Sequence, residues 1–389
     1  MNTRRKFIRN FGVGLASIPF LSDLGFANTH PKDIDIFGDL WQASSERKVK
    51  VGLVGYGFSK FSADFGFQNH PNVEIVAVSD IIPERCDALS QHVKCPKKYP
   101  SLEELVKDDS IEAVFIATDA PSHARHAILA LQHGKHVAVA VPAVFDNVEE
   151  AYELKEAVDK SGKIYMMFET SCYREDLYAM RKIYEAGGFG NIVYSEGEYL
   201  HFKPEGLPSY KGWRDGLPPM YYLTHATAYH IGVTGGYFKE VSCFGRPSTM
   251  NYLKDGNNRY NNSFGTQVAI FTADDGALSR MMYSNDSAGP FAEEGRIRGE
   301  KGAYSRAKKY SGEMKELPDT QRPNLPPGVP PGGHGGSHGQ LTHDFITCIL
   351  ENRKPWIDIN LSLNMSIPGI IAHQSSLQNA KILPIPYFI

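Results

Sequence analysis

The sequence has few cysteines and no way to pair them all. Its five, Cys86, Cys95, Cys172, Cys243 and Cys348, lie far apart, with no CxxC pair, and their number is odd. That excludes a disulfide framework and argues against a cysteine-held metal; buried free thiols are expected. An excess of one charge is lacking as well. Forty-one Lys and Arg stand against 44 Asp and Glu, a net charge of −3, so no field invites nucleic acid or an anionic membrane surface. Beyond the first thirty residues no stretch is apolar enough to anchor the chain in a bilayer, and no internal repeat is visible. What remains is a globular composition, 42% hydrophobic over 389 residues, long enough for two domains that each bury a core. The aromatic fraction, 11% and mostly Tyr and Phe, suits a binder of sugars or other small molecules.

The first thirty residues read as a targeting segment. Thr3-Arg4-Arg5-Lys6-Phe7-Ile8-Arg9 has the form of a twin-arginine signal. The apolar run from Phe11 to Leu21 is too short to span a membrane, and Gly25 and Ala27 are small residues suited to a signal-peptidase site. The alternative is a basic amphipathic N-terminus. The signal reading predicts residues 1–30 as an export peptide and a periplasmic or otherwise exported protein.

From Lys48 strands and helices alternate. VKVGLVGYG (49–57), VEIVAVSD (73–80), IEAVFIAT (111–118), KHVAVAVP (135–142) and KIYMMFET (163–170) are near-continuous apolar runs. Helical patterns separate them at 83–92, 101–108, 122–134 and 147–162. This predicts a doubly wound parallel sheet, an α/β Rossmann domain over 48–170. After about residue 170 the pattern lengthens into two-residue periods at 191–202, 240–250, 264–285 and 295–306, the third turning at Asp274–Gly276. That predicts an α+β domain over 171–389 with an open, mainly antiparallel sheet. The Pro- and Gly-rich run 323–339 reads as a loop over the surface or along a cleft, with helices at 341–353 and 362–381. The open sheet's patterned outer face predicts a homo-oligomer.

The turn Gly55-Tyr56-Gly57-Phe58-Ser59-Lys60 follows the first strand. Its glycines allow backbone N–H groups to approach a pyrophosphate at a helix N-terminus, which makes Gly55, Gly57, Phe58 and Ser59 candidate cofactor contacts. Asp80 ends the second strand, where an acid accepts both ribose hydroxyls and repels a 2′-phosphate. Ile81 and Ile82 offer no arginine to hold such a phosphate, so NAD is favoured over NADP.

The glycine turn, VAVSD at the end of the second strand, Ala117-Thr118 before a His-bearing helix start, and GKHVAVAVPA together resemble the glucose–fructose oxidoreductase, inositol dehydrogenase and MocA (Gfo/Idh/MocA) family over essentially all of 48–389. The resemblance implies NAD(P) across the carboxyl ends of the strands. Thr118, Asp119 and His123 would lie near ribose and nicotinamide, with Val141 and Pro142 beneath the nicotinamide ring. Many members carry Glu-Lys-Pro where this chain has Ala140-Val141-Pro142. The lysine ammonium that would polarise a substrate oxygen is missing.

A base near a sugar hydroxyl is then sought in SCYRED (171–176) and PPMYYLTHATAYH (218–230). His225 lies three residues after Tyr222, on a shared helical face, and Tyr173 follows the last Rossmann strand. These are the candidate catalytic residues, with His230 a competitor for the role of His225. The VPA run, Cys172-Tyr173, Tyr222, Thr224-His225 and the GGHGG run at 332–336 resemble the branch containing glycoside hydrolase family 109. In that branch NAD is used and restored within one turnover. The chain departs from it at Ala140, where a glutamate is common, and at Ser337-His338. Relatives that stop at a 3-keto sugar match equally well. The expectation is therefore an exported oxidoreductase acting on a ring hydroxyl of a sugar or glycoside with tightly held NAD. The alternatives are a redox-neutral NAD-requiring glycosidase and a non-catalytic sugar binder. Trp213, Arg214 and His334 are candidate substrate contacts. His334, His338 and His343 lack an accompanying carboxylate or cysteine pattern, and no metal is expected there.

Overall fold

The apolar runs of the first half become strands β1 (Val49–Val54), β2 (Val73–Ser79), β4 (Ala113–Ile116), β5 (His136–Ala140) and β6 (Tyr165–Phe168), with β3 (Lys98–Tyr99) added at the edge. The computed structural model describes residues 45–389; the export peptide expected over 1–30 lies outside the described residues. The six strands are parallel, in the order β3-β2-β1-β4-β5-β6. The two-residue β3 had no apolar run to announce it. Val54 pairs with Ser79 on one side and Ile116 on the other. Gly55, Asp80 and Thr118 therefore leave the sheet together at its carboxyl edge, beside the strand at which the order reverses.

The helices end where the chain supplies a stop. The helix Glu149–Ser161 opens on two acids and closes at Gly162, φ 61°, and Pro83 starts the helix that runs to Val93. The helix after the glycine turn is far shorter than its place in the fold suggests. Lys60 at φ 52° delays it, and only Phe61–Asp64 is helical. Gly66 at φ 76° then turns the chain, which sends Phe65 and Phe67 into the core.

The second sheet holds β7 (Ile192–Leu200), β8 (Phe238–Pro247), β9 (Phe264–Ala273), β10 (Leu278–Ser284), β11 (Ala292–Gly299), β12 (Gly302–Ser305), β13 (Lys309–Gly312) and β14 (Leu383–Pro384). Their order is β13-β12-β11-β7-β10-β9-β8-β14. All neighbours are antiparallel except β7 and β10. The hairpin at Asp274–Gly276 joins β9 to β10. The run 295–306 is not one strand but the hairpin β11–β12.

One face of this sheet is buried, through Ser195, Gly197 and Tyr199 of β7, Ser279, Met281 and Tyr283 of β10, and Glu293 and Ile297 of β11. A short helical stretch crosses that face so closely that a Cβ on Gly197 would lie 2.2 Å from the Ala226 carbonyl oxygen. Glycine at 197 thus lets the backbone around residue 226 settle on the sheet and places His225 there.

The C-terminal helices cross the expected boundary at 170. The helix Gly333–Glu351 starts inside the run read as loop, and His334, Gly335 and Gly336 near its start have positive φ. It packs Phe345 against Phe67, between β1 and β2, and against Phe168 of β6, and Thr342 Oγ1 donates to the Phe65 carbonyl at 2.8 Å. The helix Ile359–Leu377 follows. The five cysteines are buried and unpaired. Among the described residues no helix is long and apolar enough to cross a membrane.

Candidate active site

A cavity of about 1120 Å³ runs along the carboxyl edge of the first sheet. Gly55, at φ 90°, admits no side chain, because a Cβ would lie 2.5 Å from the Ala117 carbonyl oxygen. Gly57 faces open space, with nothing within 4 Å of such an atom. A backbone held close to the neighbouring strand beside a clear approach is what a dinucleotide pyrophosphate needs. Phe58 and Ser59 line the same cavity, as do Asp80, Thr118, Asp119, His123 and Val141. The Asp80 carboxylate is fixed at both ends: Oδ2 accepts from the Tyr56 N–H at 2.6 Å and Oδ1 from the Ile82 N–H at 2.8 Å. Each oxygen keeps a second lone pair for a ribose hydroxyl. The residues present thus fit NAD. Arg85, one turn into the helix after Asp80, also borders the cavity, a neighbour that Ile81 and Ile82 did not reveal.

His123 acts through the backbone. Its Nδ1 lies 2.9 Å from the Pro142 carbonyl and its Nε2 3.3 Å from the Thr118 carbonyl. Burial lowers its pKa, so a neutral ring donates one N–H and clips the loop after β5 to the loop after β4. Arg125 donates to His126 Nε2 at 3.1 Å, which leaves His126 Nδ1–H to donate to Thr118 Oγ1 at 2.9 Å. Burial and the Arg125 charge push His126 down to about 4. The Thr118 hydroxyl proton is thereby free for a ligand.

From the second domain, Pro208, Tyr210, Lys211, Trp213, Arg214 and Tyr222 line the opposite wall. Trp213 is buried against Phe145, and its carbonyl accepts from Tyr260 Oη at 2.6 Å. The Arg214 guanidinium lies over the Trp213 ring at 4.1 Å. Burial raises the Tyr222 phenol and the Arg214 charge opposes it.

Behind Tyr222, at a ring distance of 5.7 Å, lies His225. Its Nδ1 is 2.7 Å from Glu169 Oε1, both side chains closed to solvent. Burial alone would lower His225, but the Glu169 charge and hydrogen bond outweigh it and its pKa is raised. Glu169 is lowered in turn, its burial overcome by His225. Glu169 ends β6 as Asp80 ends β2. A second buried acid, Glu293 of β11, accepts from Ser171 Oγ at 2.7 Å and pairs with Arg174 at 3.4 Å.

His334 stacks nearly parallel to His225, ring centres 6.4 Å apart. Burial and the His225 charge lower its pKa. A backbone carbonyl fixes which nitrogen carries its proton. His338 Nδ1 donates to the Asp64 carbonyl at 3.1 Å, so its Nε2 must accept from His334 Nδ1, 2.8 Å away. Burial holds His338 at about 4, neutral. The lone pair of His334 is thus on Nε2. The neighbouring glycines make room: a Cβ on Gly332 would lie 2.7 Å from His338.

Tyr173 does not join this group. The single 3-10 turn Thr170–Tyr173 aims its phenol away from the cavity, to Asp344 Oδ2 at 2.5 Å, and burial followed by the Asp344 charge raises it far. His230, the competitor for the role of His225, points into the sheet at Ser195. His70, not His334, lies next to His343, at 3.1 Å. The residues that sequence reasoning missed come from Glu169 and the second sheet: Tyr199, stacked on His225 at 4.8 Å, His201, Lys203 and Tyr283. Lys203, pushed down to about 8 by burial and then Arg214, donates to Tyr283 Oη at 3.3 Å. The alternation in Glu198-Tyr199-Leu200-His201-Phe202-Lys203 carried that signal.

With this geometry in place, the first domain proves similar to known proteins. Residues 49–169 match the Gfo/Idh/MocA family model, an oxidoreductase family with an NAD-binding Rossmann fold. Two glycosyl hydrolase family 109 proteins, from Bacteroides fragilis and Bacteroides thetaiotaomicron, are 32% and 33% identical over 177 and 178 residues, 43% of this chain. The matched stretch spans only 38% of the length of those curated relatives. Among solved structures, levoglucosan dehydrogenase in complex with NADH and levoglucosan superposes with a TM-score of 0.73 at 16% identity, covering 87% of this chain and 100% of that one. An oxidoreductase domain protein from Kribbella flavida gives 0.70 at 20% identity over the same shares. Both establish the fold: a parallel Rossmann sheet followed by a mainly antiparallel open one.

Proposed function

We propose that the protein is an exported NAD-dependent oxidoreductase that oxidises or reduces a ring hydroxyl of a sugar or glycoside while keeping its cofactor bound. The observation that carries this is the stacked pair His225 and His334, with pKa values pushed in opposite directions. Groups driven apart in this way divide acid from base. His334 presents the Nε2 lone pair and accepts the hydroxyl proton. His225, protonated against Glu169, stabilises negative charge on the substrate oxygen, and the protonated His334 returns the proton when the reaction runs in reverse. Together they replace the lysine missing at Val141, with Lys203 a further buried cation. Tyr222 stands between this pair and the cofactor cavity and orients the hydroxyl. Gly55, Gly57, Asp80 and Thr118 would hold NAD, which when bound takes up or returns the hydride. Tight retention is supported by the second-domain loop 208–214, which lines the nucleotide cavity, and by the twin-arginine segment, since free NAD is not replenished outside the cytoplasm.

The same pair favours a second reading, a redox-neutral glycosidase like the family 109 relatives. Oxidation at one carbon acidifies the adjacent C–H. Elimination then needs a base for that proton and an acid for the departing oxygen; His334, once it has released the hydroxyl proton to water, is the base and His225 the acid. Phe244, Ile270 and Leu278, exposed on neighbouring strands of the outer sheet face, would seat a second copy of the chain.

Incubation with aryl glycosides and free sugars, without added cofactor, separates the readings. Bound NADH or reduction of a keto acceptor supports the oxidoreductase. Aglycone release without net NADH supports the glycosidase. Silence of both signals over a broad panel rejects both and leaves a sugar binder.

A further inference from the structure

Five residues beyond His225 the same segment carries His230, which is wholly buried. Its Nδ1 lies 3.0 Å from Ser195 Oγ, which is in turn 2.5 Å from Ser279 Oγ. Its Nε2 is buried without any hydrogen-bond partner. A polar nitrogen placed so is costly unless something completes it.

The β9–β10 turn supplies two acids at this point. A ring nitrogen of His230 and one carboxylate oxygen from each of Asp274 and Asp275 all lie within 4.8 Å of one another. The turn holds both aspartates by one oxygen: Asp274 Oδ1 accepts from the Tyr237 N–H at 3.2 Å, and Asp275 Oδ1 from the Ala277 N–H at 2.9 Å. A Cβ at Gly236 would lie 2.5 Å from Asp274 Oδ1, so glycine leaves room for that carboxylate. The nearby ammonium of Lys239 is engaged by the Asp274 backbone carbonyl at 3.4 Å. The Tyr184 phenol also feels both carboxylates.

We propose that His230, Asp274 and Asp275 bind one divalent transition cation of the zinc class. An imidazole nitrogen with two carboxylates suits zinc, whereas calcium and magnesium prefer oxygen alone. With Nε2 on the metal, Nδ1–H donates to Ser195 Oγ, 3.0 Å away, and the bond holds the ring in place. Bound there, the ion ties the β9–β10 turn to the segment bearing His225, on the sheet side of the active site. Its role is to hold that segment in place.

The test uses the full chain, stripped with a chelator and titrated calorimetrically with Zn²⁺ alone. One equivalent should bind and raise the thermal midpoint, and equal Ca²⁺ should not displace it. Asp274→Asn with Asp275→Asn keeps both turn hydrogen bonds and should weaken binding at least tenfold. Ser195→Ala, which frees the ring, should cost about tenfold. Absence of saturable binding overturns the proposal. So does undiminished affinity in the double variant, which would place the ion elsewhere.

Discussion

His225 Nδ1 and Glu169 Oε1 lie 2.7 Å apart, one on the helical turn that crosses the second sheet and the other at the end of the last strand of the first. The contact joins the two halves of the site and sets the charge of the imidazole. Replacing His225 by Ala should abolish turnover while NAD remains bound, since Asp80 and Thr118 are held by Tyr56, Ile82 and His126 and not by His225. Equilibrium dialysis beside a rate assay checks this, and full activity in the variant would remove His225 from the mechanism.

Glu169→Gln tests the electrostatics. Because its pKa is raised above the ordinary 6.5, His225 adds stability that is complete below about pH 6.5 and lost as pH rises through its folded value. Glu169, lowered from 4.5, adds stability that is complete above about pH 4.5 and lost as pH falls through its folded value. The pair therefore contributes most between those two pH values. Removing the acid should cost on the order of 3 kcal/mol in that window and flatten the alkaline fall in thermal midpoint. The midpoint measured from pH 5 to 9 in both proteins reads this out.

His338→Phe keeps the ring against Phe65, where it stacks at 4.1 Å, but removes the acceptor that fixes the His334 tautomer. Turnover should fall about 10²-fold with little change in NAD affinity. The ratio of kcat to cofactor Kd distinguishes this from general unfolding.

Asp80→Ala should weaken NAD about tenfold or more, the worth of charge-assisted hydrogen bonds to ribose, and narrow the preference over NADP. Arg85→Ala should leave NAD affinity unchanged and weaken any residual NADP binding. Titration of the two cofactors by fluorescence tests both substitutions.

Tyr173→Phe should retain activity. The lost bond to Asp344 should lower stability by about 1 kcal/mol. A large drop in kcat without that loss would return Tyr173 to the catalytic group.

The cofactor half was legible because its signals are local. Gly55, Gly57 and Asp80 are placed by strands whose apolar runs declare themselves, and the sheet order follows from alternation with helices. The substrate half depends on which residues face inward after β7, β10 and β11 have paired. Tyr199, Tyr283 and Glu293 could not be grouped without that long-range register. Tyr173 was misplaced for the opposite reason. Proximity in sequence to the end of β6 suggested the cleft, but a single turn rotates its phenol toward a helix from the far end of the chain. Glu169 stood in the same place on its strand as Asp80 and was readable by that analogy. The length of the helix at 333–351 was hidden by glycines and prolines, since its first turns use positive φ.

That helix has a kinetic consequence. Phe67 and Phe168 are synthesised with the first sheet, but their aromatic neighbour Phe345 arrives only after the whole second sheet. The nascent nucleotide-binding half therefore presents an uncovered ring cluster during translation. Non-local contacts of this kind slow folding and expose the chain to chaperones and to aggregation until that helix docks.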